Sequence, residues 1–404
     1  MKNKFQDLTY TCAIMLLLFT SVHLNAQTDA KTSYFNSDGS VYVSNPGYPK
    51  FNWNSTPMYY MFGDIERVLT PEEVSYIAAR TDFICIEKSH GLKVYGASEL
   101  GAKHEIAAFK KEKPEIKALF YFNSAYAWPF SSYSKNFTPE QINNHPDLKA
   151  FLLKDPETGA LAYRDHYIQL VYFFDVLNPD FRKWWVDTVA KGVEESGADG
   201  AFIDQMHGFD YLREDKSAEV AKAQGELMAA LKNKLGPDKI VLGNNAAEVE
   251  AVFPSADAFM FEHAGQEFTT KEVLLKEWDQ MLKIAKAGKI SIYRFGAKTT
   301  GTALAKADKK TKQAAMPKLS QDQVTFYQAC YLIGAQPYAY FQYNWSWNLA
   351  DGNLVNYPEL SKPLGAPKGA YKRVTPVGWE FTREFEHASV WLDTENRKAK
   401  ITWK

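Results

Sequence analysis

Short apolar runs recur along this chain, each closed by a polar residue or a glycine. They fall at residues 58–64, 82–91, 116–123, 200–205, 240–245, 258–264 (polar at Glu262 and His263, then Ala264), 290–296 and 337–344. Runs of this length, rich in Ile, Val, Phe and Tyr, read as buried strands. The stretches between them carry helix signals. "TPEEVSYIAAR" starts at Thr70 with Glu73 three residues on, a capping box. "NPDFRKWWVDTVAKGVEESG" places Asn178 at the cap, Pro179 at the first helical position and Gly197 past the end. "EDKSAEVAKAQGELMAALKNKLG" and "TKEVLLKEWDQMLKIAKAG" follow the same grammar. Eight strands alternating with helices predict an α/β fold, a (β/α)8 TIM barrel, in preference to a doubly wound sheet.

The pattern breaks in four places. Residues 124–170 form a long connection after the third strand, expected to build a lid or a cleft wall. Within it "LVYFFDVLNP" reads as a stray strand outside the barrel. Residues 297–318, rich in Lys and small side chains, read as a solvated loop. Lys306, Lys309, Lys310 and Lys312 crowd that segment and suggest contact with an anionic glycan. Near the end, Val390–Leu392 and Ala399–Trp403 flank "DTENRK" as a hairpin, a small C-terminal β appendage too short to fold alone. The start has Lys2 and Lys4, an apolar stretch from Ala13 to Val22, and a small residue at Ala26, the pattern of a secretory signal. The expected organisation is a signal peptide at 1–26, an extension at 27–54, the barrel at 55–365 and the appendage at 366–404.

Composition narrows the function. With 47 basic and 48 acidic side chains in 404 residues, net charge is -1, which gives no footprint for nucleic acid or an anionic membrane. After the signal no segment is long and apolar enough to span a bilayer. The expected location is therefore secreted or periplasmic. Cys85 and Cys330 sit in apolar runs and read as buried thiols, not a disulfide. No HxH or HExxH spacing occurs, so no metal and no other cofactor is expected. A metal-dependent hydrolase would have to draw on His90, His207, Glu262 and His263. Aromatic residues make up 15%, which suits stacking on sugar rings as well as a large core.

The chemistry gathers at the strand ends, where barrel enzymes build their sites. "GADGAFIDQ" delivers Asp204 at the end of the fourth strand, and "FMFEHA" delivers Glu262 at the end of the sixth. These segments resemble barrel glycosidases, in which such an Asp ends strand four. The late "LGAPKGAY" and "TREFEHASVWLD" are similar to the closing segment of hypothetical glycosyl hydrolase family fifteen, with Ala388 or Ser389 where that family often has Gly. The resemblance covers most of residues 55–400. It implies a glycoside hydrolase acting on a poly- or oligosaccharide, which the signal pattern makes a secreted one, and the likeness to barrel glycosidases implies retention of anomeric configuration.

Glycoside hydrolysis needs two carboxyl groups flanking a sugar C1. Asp204, short and beside Gln205 and His207, suits the nucleophile or base. Glu262 follows Phe259-Met260-Phe261, an apolar setting for a group that must deliver a proton. The other strand ends offer substrate contacts: Asp64, Glu87, Lys88, His90, Asn123, His207, Asn244, Asn245, Tyr293, Arg294 and Gln342. Trp128, Trp345 and Trp347 are expected as stacking platforms. Asp175 reads as a turn residue before the Asn178 cap. The alternative is a barrel that has lost catalysis and only captures glycan; retention of both Asp204 and Glu262 argues for the enzyme.

Overall fold

The computed structural model describes residues 45–166, 169–262 and 270–404. The signal region, residues 27–44 and His263 lie outside the described residues. The strands are β1 (Tyr60–Phe62), β2 (Phe83–Ile86), β3 (Lys117–Asn123), β4 (Tyr163–Asp165), β5 (Leu170–Tyr172), β6 (Gly200–Asp204), β7 (Ile240–Asn244), β8 (Ala258–Glu262), β9 (Ile290–Phe295) and β10 (Ala339–Tyr343). Strands β1-β2-β3-β6-β7-β8-β9-β10 pair in that order in one eight-stranded sheet. A parallel bridge between Met58 and Phe341 joins its two ends. The fold is therefore a (β/α)8 barrel. Each of the eight predicted apolar runs contains one of its strands.

The helices are α1 (Pro71–Ala78), α2 (Leu92–Tyr95), α3 (Ser98–Glu112), α4 (Pro146–Lys149), α5 (Pro179–Ser196), α6 (Ser217–Leu235), α7 (Lys271–Lys286) and α8 (Lys309–Gly334). Thr70 and Glu73 close the capping box on α1, and Asn178 caps α5 through the N–H groups of Asp180 and Phe181. Beyond β10 the described residues hold no α-helix, only 3-10 turns at Leu349–Asp351 and Pro358–Ser361.

The strands alternate between two packed layers. Tyr59, Met61, Phe83, Cys85, Leu119, Tyr121, Phe202, Leu242, Met260, Ile292 and Tyr340 point into the barrel and form one core cluster. Gly200 opens β6 because a Cβ there would meet the Ile240 carbonyl oxygen at 1.9 Å, so only glycine lets β6 and β7 approach. Cys85 and Cys330 are buried free thiols.

Three expectations change at this level. Residues 45–54 do not form a separate extension: Tyr48 belongs to the barrel core and Phe51 packs against it. Tyr48 also donates to the Asp257 carbonyl at 3.2 Å. The 297–318 segment is not a loop throughout. Asp308 caps α8 through the Thr311 N–H at 2.9 Å, and Ala, Lys and Gln propagate the helix through Pro317. Lys309, Lys310 and Lys312 lie on its first turn. The appendage exceeds a hairpin: β11 (Lys372–Arg373), β12 (Glu380–Glu384), β13 (Ala388–Asp393) and β14 (Lys398–Trp403) form a four-stranded antiparallel sheet. Arg383 fixes it to α8 by donating to the carbonyls of Leu332, Ile333 and Ala335 at 2.9, 3.0 and 2.6 Å. Those are the helix's last orphan acceptors. The stray strand, by contrast, is where it was expected: β5 pairs with β4 in a separate two-stranded sheet.

Candidate active site

The inward parity of the barrel strands continues one layer past the apolar core. Two residues beyond Cys85, Tyr121, Phe202, Leu242, Met260, Ile292 and Tyr340 come Glu87, Asn123, Asp204, Asn244, Glu262, Arg294 and Gln342. Side chains at i and i+2 share a face of a strand, so seven strands end in a polar ring at one mouth. The eighth, β1, supplies Gly63, where a Cβ would lie 2.7 Å from the Glu87 Cβ. The glycine leaves room for Glu87.

Asp204 is held at both oxygens. Its Oδ2 accepts from the Tyr121 hydroxyl at 2.5 Å and from Asn123 Nδ2 at 3.0 Å. Its Oδ1 accepts from the Gln205 backbone N–H at 3.0 Å and from Asn244 Nδ2 at 2.9 Å. Gln205 reaches that position with φ +65, a left-handed conformation that a non-glycine residue adopts at a cost. Asn123 is itself fixed: its Oδ1 accepts from the N–H groups of Ala125 and Tyr126. Its carbonyl accepts from the indole of buried Trp185 on α5 at 2.9 Å.

Asn244 also reaches Glu262. The same Nδ2 donates to Glu262 Oε2 at 3.0 Å. An amide nitrogen carries two protons, one for each carboxyl group, and the reversed amide would set oxygen against two oxygens. Asn245 holds Glu262 from the backbone side, accepting its N–H at 3.0 Å. Asn245 has φ +52, so a second non-glycine residue at the mouth adopts the left-handed region.

Lys88 adds a cation. It pairs with Glu87 and lies 5.3 Å from the centre of the Tyr121 ring and 5.6 Å from that of Trp128. Burial works against its charge, but Glu87, Asp204 and Glu262 outweigh it and hold the ammonium above its ordinary pKa. On the far side Arg294 donates to Asn344 Oδ1 at 2.9 Å, with its guanidinium 4.4 Å from the Trp347 ring centre. Gln342 donates to the Met61 carbonyl at 2.9 Å. His207, on the exposed turn after β6, titrates below the ordinary histidine range. Loss of hydration within the cleft is the larger cause, and attraction to Asp204 and Glu262 opposes it.

The chain matches the family described as hypothetical glycosyl hydrolase family 15 over residues 110–389. It belongs to this family. No curated protein matches the chain. Among solved structures it is similar to an alpha-galactosidase from Thermus thermophilus at 15% identity, over 87% of this chain and 68% of that one, with a TM-score of 0.48. It is likewise similar to an alpha-amylase from Geobacillus thermoleovorans at 10% identity, over 85% and 87%, TM-score 0.49. The glycoside hydrolase domain of PelA from Pseudomonas aeruginosa shares 12% identity over 60% and 83%, TM-score 0.39.

Set within this glycosyl hydrolase family, the mouth draws together most of the expected residues: Glu87, Lys88, Asn123, Trp128, Asp204, His207, Asn244, Asn245, Glu262, Arg294 and Gln342. Trp345 is half-buried in the loop after β10. Trp347 packs against the barrel core and Arg294, so its ring is partly committed to structure.

Three expected contacts are corrected. Asp64 has the opposite parity from Gly63; its carboxylate accepts from the Ala350 N–H at 2.9 Å and pairs with Arg67 at 3.2 Å, holding loops together. His90 is fully buried outside the cleft. Its Nδ1 accepts from the Asp64 N–H at 3.0 Å, so the proton sits on Nε2, 2.9 Å from Glu105. That commitment also removes His90 from any metal set. Tyr293 points outward too, donating to Glu277 on α7 at 2.6 Å. Asp175 serves its turn, accepting from the Leu177 N–H and pairing with Arg213. The residue missed from sequence is Tyr121. Its signal was faint but present: it precedes Asn123 by two on an inward-facing strand. Burial, then the charges of Asp204 and Glu87, push its phenol well above the usual range, so it stays a donor.

Proposed function

We propose that this chain is a secreted, retaining glycoside hydrolase, with Asp204 as nucleophile and Glu262 as general acid and base. Family membership supports a glycan-processing role. The observation that carries the finer reading is the shared amide of Asn244. The nearest oxygens of Asp204 and Glu262 can be no farther apart than 2.9 Å and 3.0 Å laid end to end. That limit falls short of the about 6.5 Å at which inverting separations begin, and favours the retaining spacing of about 5–5.5 Å.

In this mechanism Glu262 gives its proton to the glycosidic oxygen as Asp204 attacks C1, forming a glycosyl ester and releasing the leaving alcohol. Glu262, now a carboxylate, takes a proton from water. The water oxygen bonds to C1 and frees Asp204. Tyr121, Asn123, Asn244 and the Gln205 N–H aim Asp204 before substrate arrives, which lowers the reorganisation needed in the transition state. Lys88 and Trp128 provide a charged and an aromatic wall for the sugar.

The test is cleavage of a panel of aryl glycosides and polysaccharides by the exported protein, with the anomer of the first-formed product read by NMR. Retention by wild-type protein, together with azide-restored turnover in Asp204→Ala, is expected. Inversion would overturn the nucleophile assignment. Glycan binding without turnover on any substrate would favour the capture reading. Export itself is tested by N-terminal sequencing, which is expected to begin near Gln27.

A further inference from the structure

The barrel lacks its last helix, and the space is not filled. Between β10 and the C-terminal sheet the chain forms 3-10 turns at Leu349–Asp351 and Pro358–Ser361 and no α-helix. A cavity of about 200 Å³ remains between β1, α1, β10 and residues 353–361. It opens on the flank of the barrel, because Tyr60 and Tyr343 carry the outward parity opposite to Tyr59 and Gln342.

Its walls are tyrosines: Tyr60, Tyr76, Tyr343 and Tyr357. Three of their hydroxyls are fixed. Tyr76 donates to the Val355 carbonyl at 3.2 Å, Tyr343 to the Ser320 carbonyl at 2.9 Å, and Tyr357 meets the Ser320 hydroxyl at 2.5 Å. The rings are thus held rigidly. Arg80 lies at the rim, its guanidinium 3.5 Å from the Tyr76 ring centre. Asn353 is only 4% exposed; its Nδ2 is bonded to the Asn348 carbonyl, while its Oδ1 has no partner among the described residues. A buried acceptor left open costs free energy unless something donates to it. No Asp or Glu lines the cavity among the described residues.

We propose that this cavity is a second, non-catalytic binding site for one neutral hexose unit of a glycan. The size fits a single ring: a water occupies about 30 Å³ and drug-sized pockets begin at roughly 300 Å³. The lining fits the same class. A pyranose offers apolar C–H faces to aromatic rings and hydroxyls that both donate and accept. Those hydroxyls match the unpartnered Asn353 oxygen in the wall and the guanidinium of Arg80, which donates to the Tyr76 carbonyl at 2.9 Å and to Asn356 Oδ1 at 3.4 Å and keeps further N–H groups. The site does not rest on the catalytic assignment, since the barrel wall separates it from the mouth.

The test labels the Asp204→Asn/Glu262→Gln protein with 3-fluorotyrosine and titrates D-glucose and D-galactose to about 100 mM, a range that resolves millimolar affinities. Saturable shifts of the Tyr60, Tyr76, Tyr343 or Tyr357 resonances are expected with at least one of the two. Ala79→Trp, which plugs the exposed rim, is expected to weaken that response at least tenfold while the Tyr121 resonance in the cleft is unchanged. Ser361→Trp, plugging from the opposite wall, serves if Ala79→Trp does not fold. Cavity resonances that ignore both hexoses, as for a cavity that holds water only, would overturn the proposal. So would shifts of equal size in the plugged variant. Loss of the catalytic reading would leave the cavity response standing, so the two fail separately.

Discussion

Compare two sets of polar residues at the same height of the same barrel. Asp204, Asn244 and Glu262 converge on one cleft, joined by a single amide. Asp64 and Tyr293 sit beside strand ends and His90 in the turn after β2, yet each is spent on the scaffold. The residue types do not separate the sets, since both contain a carboxylate. Parity separates Asp64 and Tyr293 from the cleft set, and the turn after β2 carries His90 away from it. An inward position faces the open cleft; an outward one faces helices, where a buried polar group must find a protein partner. The end of a strand is therefore two places, one chemical and one structural.

The sharpest way to break this comparison is through the carboxylates. Asp204→Asn and Glu262→Gln are each expected to lower turnover by about 10²–10⁴-fold with thermal stability close to wild type. Wild-type turnover in either variant would reduce that residue to a strand-end charge. Asn244→Leu comes next. It removes the bridge but neither carboxyl group, and about a 10²-fold loss of kcat is expected, in the range seen when one preorganised donor is removed. Unchanged kcat would show that the shared amide does not set the geometry.

The outward set should respond in the opposite currency. His90→Leu leaves Glu105 and the Asp64 N–H without their partner in a fully buried place, at a cost of about 2 kcal/mol in chemical unfolding. Residual activity per folded molecule should match wild type. Tyr293→Phe loses one hydrogen bond to Glu277, about 1 kcal/mol, again with kcat unaltered. A catalytic defect in Tyr293→Phe, with stability intact, would show that parity does not sort these residues; one in His90→Leu would place that turn in the cleft.

The smallest effect is a titration. His207 already binds its proton less readily than an ordinary histidine, and Asp204 and Glu262 pull it back upward. Asp204→Asn removes one of those charges, so the His207 pKa followed by NMR should move further down. The sign follows from charge alone: losing a nearby anion disfavours the imidazolium. An upward move would place His207 outside the cleft field.

Much of the site was legible because strands impose a period of two. "GAFID" and "AFMFE" end apolar alternation with a carboxylate, and that ending marked Asp204 and Glu262. The same rule, applied to the layer below, points to Tyr121. Tyr293 was misplaced because a tyrosine beside an arginine at a strand end gives no sign of which of the two faces inward. His90 lies beyond its strand in a turn, where the alternation no longer applies. The 297–318 segment reads as a loop from its Lys and small side chains, whereas Asp308 caps α8 and the helix runs on through Pro317, nine residues later.

The barrel, its eight strands, the caps of α1 and α5 and the strand-end positions of Asp204 and Glu262 can be read along the chain, because each follows from local periodicity or local hydrogen bonding. The remaining features arise from contacts made in the folded chain. That Asn244 serves two acids at once depends on β6, β7 and β8 lying side by side, and no local pattern encodes the distance between their ends. That residues 45–54 pack on the barrel core, and that four tyrosines wall a cavity where a helix is missing, depend on contacts between segments far apart in sequence. Long-range packing is chosen by the shape left after the local elements have formed, and that shape exists only in the folded chain.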